Sequence, residues 1–267
     1  MLALLFAAGC IRFPPDLRYA LHIVPQESLL EDGRYYFDAE DSTAVFEQEG
    51  FRLKLRYLSD QALNQEYARF TFREPNLNPF TYGQDRDLDR GYAPPRFTVF
   101  EMTVVNQSYP KVMVDPAKMV LRTDRGGEYR YWGVLKRDAD NSFERYYMER
   151  RGKGGNEDYY YQERMGLVRE ALFRRHTFVF KGDDYTGKVV FAPLHAEVLA
   201  IAVEIEDIVL RVDAFDRPKE VTSASFAFSV AHEVAPVPPV EEAHNVQPGG
   251  GEQDEGRGEH RLEDAGS

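Results

Sequence analysis

The segment Phe97-Thr-Val-Phe-Glu-Met-Thr-Val-Val105 decides the fold, because it is apolar on both faces over the length of one strand. A strand with two apolar faces is expected inside a sheet that is covered on both sides. Upstream, Phe51-Arg-Leu-Lys-Leu-Arg-Tyr57 alternates between apolar and basic residues. This alternation predicts a half-buried strand with a basic outer face.

Further short strand patterns, separated by turn signals, follow these two segments. The turns are Asn106-Gln-Ser108 and Asp124-Arg-Gly-Gly127, whose residues favour tight reversals of the chain. The strand patterns lie at 111–115, 118–122, 129–131, 177–180, 188–191, 198–205, 208–212 and 223–230. Short strands at this spacing are typical of a β-sandwich.

Two regions interrupt the strands with helical patterns. Residues 137–176 contain Tyr161, Met165, Val168 and Leu172 at steps of three and four, which indicates a helical insertion in a loop of the sandwich. We expect residues 138–158 to be removable without loss of the fold. A shorter helix is predicted from Ser59, a favourable N-cap, to Phe70.

The region from Arg96 to Tyr131 also carries a resemblance. Phe100-Glu-Met-Thr-Val-Val-Asn106, Val114-Asp115-Pro116 and Gly127-Glu-Tyr129 resemble immunoglobulin-like domains of bacterial lipoproteins. The resemblance implies a fold and a location rather than a chemistry. We therefore predict an all-β fold, an immunoglobulin-like β-sandwich with a helical insertion, over residues 32–233.

The N-terminus contains the single cysteine of the chain. Leu5-Phe6-Ala7-Ala8-Gly9-Cys10 resembles the lipobox of bacterial lipoproteins, although that family prefers leucine at the position of Ala7. The resemblance implies that residues 1–9 are a signal peptide remnant and that Cys10 carries acyl chains such as palmitate, which anchor a protein stably when two or more are present. The alternative is an apolar N-terminal strand with a chance Gly-Cys pair.

The resemblance also implies a location in the cell envelope, with the protein lipid-anchored to the outer membrane and facing the periplasm if the cell has two membranes. Pro14 and Pro15 favour an extended backbone, so residues 10–31 are predicted to be a tether that holds the domain off the membrane.

Charge is concentrated at the other end of the chain. Residues 234–267 contain eight acidic residues and two arginines, and so carry half of the net charge of −12. Acids, proline and glycine without large apolar residues predict a disordered acidic tail. The acidic balance excludes nucleic acid as a default partner, because phosphate binding needs a basic surface.

The sequence offers no catalytic residues, no metal site and no cofactor motif. Asp85, Asp87 and Asp89 have the spacing of a calcium loop, but the glycine and glutamate that an EF-hand requires are replaced by Arg90 and Arg96. His195-Ala-Glu197 matches the His-x-Glu of zinc deaminases, which also need a pair of cysteines. A carboxylate pair for glycoside hydrolysis stays possible, since acids are abundant and such pairing is spatial.

Aromatic and basic residues cluster in the insertion. Tyrosine and arginine are enriched at protein-binding hot spots. We predict a partner-binding surface there, formed by Tyr146, Tyr147, Tyr159, Tyr160, Tyr161, Arg150 and Arg151. The alternative is that these residues pack the insertion against the sandwich edge.

The sequence therefore predicts a membrane-anchored envelope lipoprotein that is not an enzyme. It acts as an interaction or assembly module with an envelope protein as partner. One alternative is a secreted carbohydrate-binding or carbohydrate-active protein, because tyrosines can also stack on sugars. A purely structural envelope component is the third possibility.

Overall fold

The computed structural model describes residues 17–237, except residues 39, 138 and 153–155. Cys10, the lipobox-like segment and the tail from residue 238 lie outside the described residues.

The strands are β1 (Leu17–Pro25), β2 (Tyr35–Asp38), β3 (Thr43–Gln48), β4 (Phe51–Leu58), β5 (Thr98–Asn106), β6 (Lys111–Val114), β7 (Met119–Thr123), β8 (Glu128–Arg130), β9 (Trp132–Gly133), β10 (Asn141–Ser142), β11 (Thr177–Phe180), β12 (Asp184–Phe191), β13 (Ala200–Val212) and β14 (Pro218–Pro236). The α-helices are α1 (Asp60–Glu66), α2 (Ala68–Thr71), α3 (Phe143–Glu149) and α4 (Glu157–Ala171), and Glu27–Glu31 and Pro116–Lys118 form 3₁₀ turns.

The two strands predicted first are neighbours in a five-stranded antiparallel sheet. Its order is β12-β5-β4-β3-β2, with Leu55 of β4 opposite Met102 of β5. Phe51, Leu53 and Leu55 are fully buried, while the basic residues between them are partly exposed. The alternation in the sequence therefore sets which face of β4 points into the core.

The second sheet has seven strands and is built around β13. Its main path runs β1-β14-β13-β6-β11, and β7 joins β13 to β8. Residues 201–205 of β13 pair with β7, whereas Val209 pairs with Met113 of β6. The register shifts between Ile205 and Ile208, where Asp207 has a φ of 54°. The segments 198–205 and 208–212, which the sequence predicts as separate strands, therefore form one long strand with a bulge. On either side of the bulge this strand pairs with a different neighbour, β7 or β6.

The two sheets enclose a main core, which confirms the sandwich and the mostly β composition. It is formed by buried side chains from both inner faces, including Phe46, Phe100, Met102, Phe226 and Phe228. Each buried aromatic side chain of this kind contributes about 1.5–3 kcal/mol through the area that it removes from water.

A second core lies on the outer face of the five-stranded sheet. It consists of Leu58, Leu63, Phe80, Phe97, Val99, Phe143, Tyr147, Met165, Val168, Leu172 and Val190. Strands β4, β5 and β12 supply one side of it, and helices α1, α3 and α4 supply the other. The apolar outer face of β5 is therefore covered by helices, so the fold has a third layer.

The insertion is not removable as predicted. Phe143 and Tyr147 lie within residues 138–158, and both are buried in the second core. Deleting this segment would uncover Phe97 and Val99 on the sheet. The prediction fails because the helical pattern in the sequence does not show which surface the helices cover.

The predicted tether is wrong from Leu17 onward. Residues 17–25 form β1, which pairs antiparallel with β14 from Leu17↔Pro236 to Pro25↔Phe228. Leu21 and Ile23 are part of the main core, so this strand has a buried face. The prolines upstream of it had favoured a tether instead.

The predicted tail also begins too early, because β14 continues to Pro236. Within the described residues, no helix is long and apolar enough to cross a membrane.

Candidate functional site

A cavity of about 780 Å³ lies between β1, α1 and the segment that precedes β5. We call it the Asp60 cavity. Tyr19 and Leu21 of β1 form one wall, and Asp60, Gln61 and Gln65 of α1 form the wall opposite. Phe72 is 61% exposed and also lines the cavity, together with Gly83, Gln84 and Arg86. Cavities of this size accommodate small organic ligands.

The ring of Tyr19 is held in a defined position. It stacks on Tyr92 with ring centroids 5.5 Å apart and planes 16° apart. Its hydroxyl lies 2.6 Å from Nδ1 of His232, and Nε2 of His232 lies 3.0 Å from the carbonyl oxygen of Val198. Because a carbonyl only accepts, Nε2 carries a proton, and Nδ1 of the neutral ring accepts from Tyr19. Burial raises the pKa of Tyr19 to about 12.

The sequence places Asp60 at the first position of α1. Ser59 caps this helix, with its side chain accepting from the backbone N–H of Ala62 at 3.2 Å. The cap fixes the start of α1, and Asp60 at this position lines the cavity together with Tyr57 and residues of β1. Burial raises the pKa of Asp60 to about 7, and the guanidinium of Arg96 opposes this rise. The same surroundings raise the pKa of Tyr57 well above its ordinary value.

Amides, the two arginines Arg18 and Arg86, His22 and Ser59 complete the polar lining. Arg18 of β1 donates to the side-chain oxygen of Gln61 on α1, which links the two walls. Asn64 accepts at Oδ1 from Thr81 at 2.5 Å and is thereby held by the segment before β5. The lining therefore combines ring faces, amides and one carboxyl group, as small-ligand sites commonly do.

The residues of the predicted partner-binding surface differ in their exposure to solvent, from buried Tyr147 to exposed Tyr159, Arg150 and Arg151. Tyr147 is 5% exposed and donates to the carbonyl of Pro79 at 2.6 Å, so its assignment to a partner surface is wrong. Tyr146 packs edge-on against Trp132, and the guanidinium of Arg150 covers its ring at 3.7 Å. Burial raises the pKa of Tyr146.

The other members of that set lie on or next to α4. Tyr161 is partly buried against the second core. Tyr159 is 51% exposed and contacts Tyr160 edge-on. Arg151 forms an ion pair with Asp158 at 2.7 Å. Packing explains Tyr146, Tyr147 and Tyr161, which leaves Tyr159 as the tyrosine of the set with most of its surface in solvent.

Three donors, two from the helical layer and one from the segment before β5, hold the segment 76–79. Arg164 donates to the carbonyl of Asn76 at 2.7 Å, Arg96 donates to that of Asn78 at 3.1 Å, and Tyr147 donates to that of Pro79. The Nε atoms of both arginines are buried without a hydrogen-bond partner. These hydrogen bonds satisfy backbone carbonyls in a segment that forms neither helix nor strand.

The motifs considered for metal chemistry have other roles. Asp87 accepts from the backbone N–H groups of Asp89 and Arg90, both at 3.0 Å, and so forms a turn. His195 and Glu197 are exposed on the loop before β13. Within the described ranges, no three or more His, Cys, Asp or Glu side chains are grouped to hold a metal ion.

Sequence reasoning missed Tyr19, Asp60 and His232. Asp60 follows a good N-cap and therefore looks like an ordinary helix start. His232 and Tyr19 meet only because β1 pairs with β14 across the whole chain. The alternation of Tyr19, Leu21 and Ile23 was the one available signal. Comparisons of the chain with protein-family models, curated proteins and solved structures give no match.

Proposed function

We propose that this protein is a non-enzymatic binding module of the bacterial cell envelope, anchored by acyl chains on Cys10, which takes its ligand in the Asp60 cavity. The observation that carries the binding function is that cavity, with Asp60 and Tyr19 in opposite walls. The protein-capturing surface on the insertion is a weaker candidate, because much of it is packed inside the fold. In this proposal the sandwich is immunoglobulin-like, which agrees with β5 lying in one sheet and β6 and β7 in the other.

The position of β1 supports an anchored arrangement. Cys10 precedes Leu17 by seven residues, which span at most about 25 Å when fully extended. Leu17 itself lines the Asp60 cavity. An acylated Cys10 would therefore keep the cavity close to the membrane, on the periplasmic side of the outer membrane in a cell with two membranes.

The lining supports binding rather than hydrolysis. Hydrolysis of a glycosidic bond ordinarily requires two carboxyl groups that face each other about 5–10 Å apart. Asp60 is the single acid among the described residues that line the cavity. A lone carboxyl group can still accept hydrogen bonds from a ligand or neutralise its charge.

Carbohydrate is the second candidate ligand, and the lining favours it specifically. Sugars present apolar ring faces and several hydroxyl groups, which match tyrosine rings and amide side chains. Tyr19, Gln61 and Gln65 provide these groups in one cavity. A glycan array would show specific binding that Tyr19→Ala abolishes, while Tyr36→Ala outside the cavity leaves it unchanged. Absence of specific binding would remove this candidate.

Fractionation of the host cell tests the anchor. The wild-type chain should sediment with membranes, and Cys10→Ser should move to the soluble fraction because no thiol remains to accept a lipid. Cys10→Ser that stays on the membrane at the wild-type level would refute the anchor without bearing on the cavity.

A further inference from the structure

The carboxyl group of Asp60 lacks a partner inside the folded chain. None of the described residues forms an ion pair with it or donates a hydrogen bond to it, and burial is the main influence on its charge. Charged groups that are withdrawn from water are normally paired, since an uncompensated charge is costly to bury. A carboxyl group left in this state on a cavity wall is suited to a partner that arrives from outside.

The groups around Asp60 favour a positive partner. Burial is the main reason why the pKa of Tyr19 and that of Tyr57 are raised, and the negative charge of Asp60 adds to both shifts, so both phenols lie within its field. Aromatic ring faces attract cations, and tyrosine cages with a nearby carboxylate bind ammonium groups in this way. Three arginines lie nearby and have other contacts. Arg18 donates to Gln61, Arg96 donates to the carbonyl oxygen of Asn78, and Arg86, which also lines the cavity, has an interaction of its own.

From this arrangement we infer that the Asp60 cavity binds a ligand that carries an ammonium group, which pairs with the Asp60 carboxylate between the rings of Tyr19 and Tyr57. The inference rests on the proposed binding function and names the class of ligand. The ammonium group can belong to a small amine or to an amino sugar, and the two sources share the same recognition chemistry.

Other charged and titratable groups around the cavity also influence how binding of a cation depends on pH. The charged and titratable side chains of the surrounding elements are Arg18, Tyr19 and His22 of β1, Tyr57 of β4, Arg86 and Arg96 of the segment before β5, and His232 and Glu233 of β14. A positive charge on either histidine would repel a cation, whereas the carboxylate of Asp60 attracts one. Comparison with the Asp60→Asn variant isolates the part that Asp60 contributes.

Matched probes test the charge directly. Choline is a permanent cation, and 3,3-dimethylbutan-1-ol has the same shape without the charge. Glucosamine and N-acetylglucosamine form a similar pair on a sugar. We expect calorimetry on the full chain to show binding of choline or glucosamine at pH 8 that is at least tenfold tighter than that of its uncharged counterpart, as a charge-assisted contact provides. Choline alone would indicate a small amine, and glucosamine alone an amino sugar.

Asp60→Asn should weaken binding of the cationic probe by about 10-fold to 100-fold and leave the uncharged counterpart unchanged. Lowering the pH from 8 to 6 should weaken binding of choline by the wild-type protein about tenfold, because the charge of choline stays constant while the ionised fraction of a group with a pKa near 7 falls by that factor. Asp184→Asn, on the exposed start of β12, is the control. Equal binding of charged and uncharged probes would overturn the inference while keeping the cavity as a site. Absence of binding by both cationic probes would overturn it as well.

Discussion

Asp60→Asn should stabilise the folded protein at pH 8 and have little effect on its stability near pH 4. Folding raises the pKa of Asp60 from its ordinary value of 3.8 to about 7. A raised pKa in the folded state means that this group favours folding below pH 4 and that its contribution is lost as the pH rises through 7. Asparagine keeps the shape of the side chain and has no charge to bury.

The size of the effect follows from the shift in pKa. About three pKa units at about 1.4 kcal/mol each set an upper bound of about 4 kcal/mol. Asp60 retains some contact with solvent and lies at the N-terminus of α1, where unsatisfied N–H groups favour negative charge by about 0.3–1 kcal/mol. We therefore expect Asp60→Asn to gain about 2 kcal/mol in free energy of unfolding at pH 8.

Urea unfolding followed by circular dichroism measures this difference at pH 4.5 and at pH 8. Comparing the variant with the wild-type protein at each pH removes the contribution of all other titrating groups. The exposed Asp184→Asn should show no such pH-dependent gain. A gain of the same size at both pH values, or a loss of stability at pH 8, would refute the reasoning.

Three further predictions concern the helical layer and its contacts. Phe143→Ala should lower the free energy of unfolding by about 3–5 kcal/mol, because Phe143 is fully buried in the second core. An effect as small as that of Met148→Ala, at an exposed position of the same helix, would mean that the helices are dispensable for stability. Tyr147→Phe should cost about 1–3 kcal/mol in urea unfolding, since the carbonyl of Pro79 loses its donor, whereas Tyr159→Phe should stay within about 0.5 kcal/mol. Gly187→Ala should lower the free energy of unfolding by at least about 2 kcal/mol, because a Cβ atom would lie 2.6 Å from the backbone of Phe173. Gly166→Ala, in the open middle of α4, should raise it by about 0.5–1 kcal/mol. Equal melting temperatures for the two glycine variants would contradict this packing.

Much of the fold is predictable from the sequence, because every second residue of a strand lies on the same face of the sheet. The pattern in Phe51–Tyr57 predicts β4 and its buried side, and the pattern in Phe97–Val105 predicts β5 as a strand that is covered on both faces. The turn residues and Ser59 likewise predict where strands reverse and where α1 begins. These features depend on neighbours along the chain.

The candidate site depends on contacts that local patterns do not encode. Tyr19 meets His232 only through the pairing of β1 with β14, and the prolines upstream of β1 suggested a tether instead. The tyrosines of α3 appeared free because the sequence shows that both faces of β5 are apolar but not which segment of the chain covers the outer face. Nothing in the sequence indicates that Asp60 belongs to a site, because the lack of a partner for its carboxyl group depends on the surrounding cavity and not on its neighbours along the chain.

Native mass spectrometry of the protein extracted from the membranes of its host tests the central claim most directly. The account predicts a chain that begins at an acylated Cys10 and carries a non-covalent ligand. Gln65→Trp, which places an indole at the cavity wall, should lose that ligand, and Gln162→Trp on the exposed side of α4 should keep it. An unmodified chain that retains Met1, or a ligand that survives Gln65→Trp, would contradict the account.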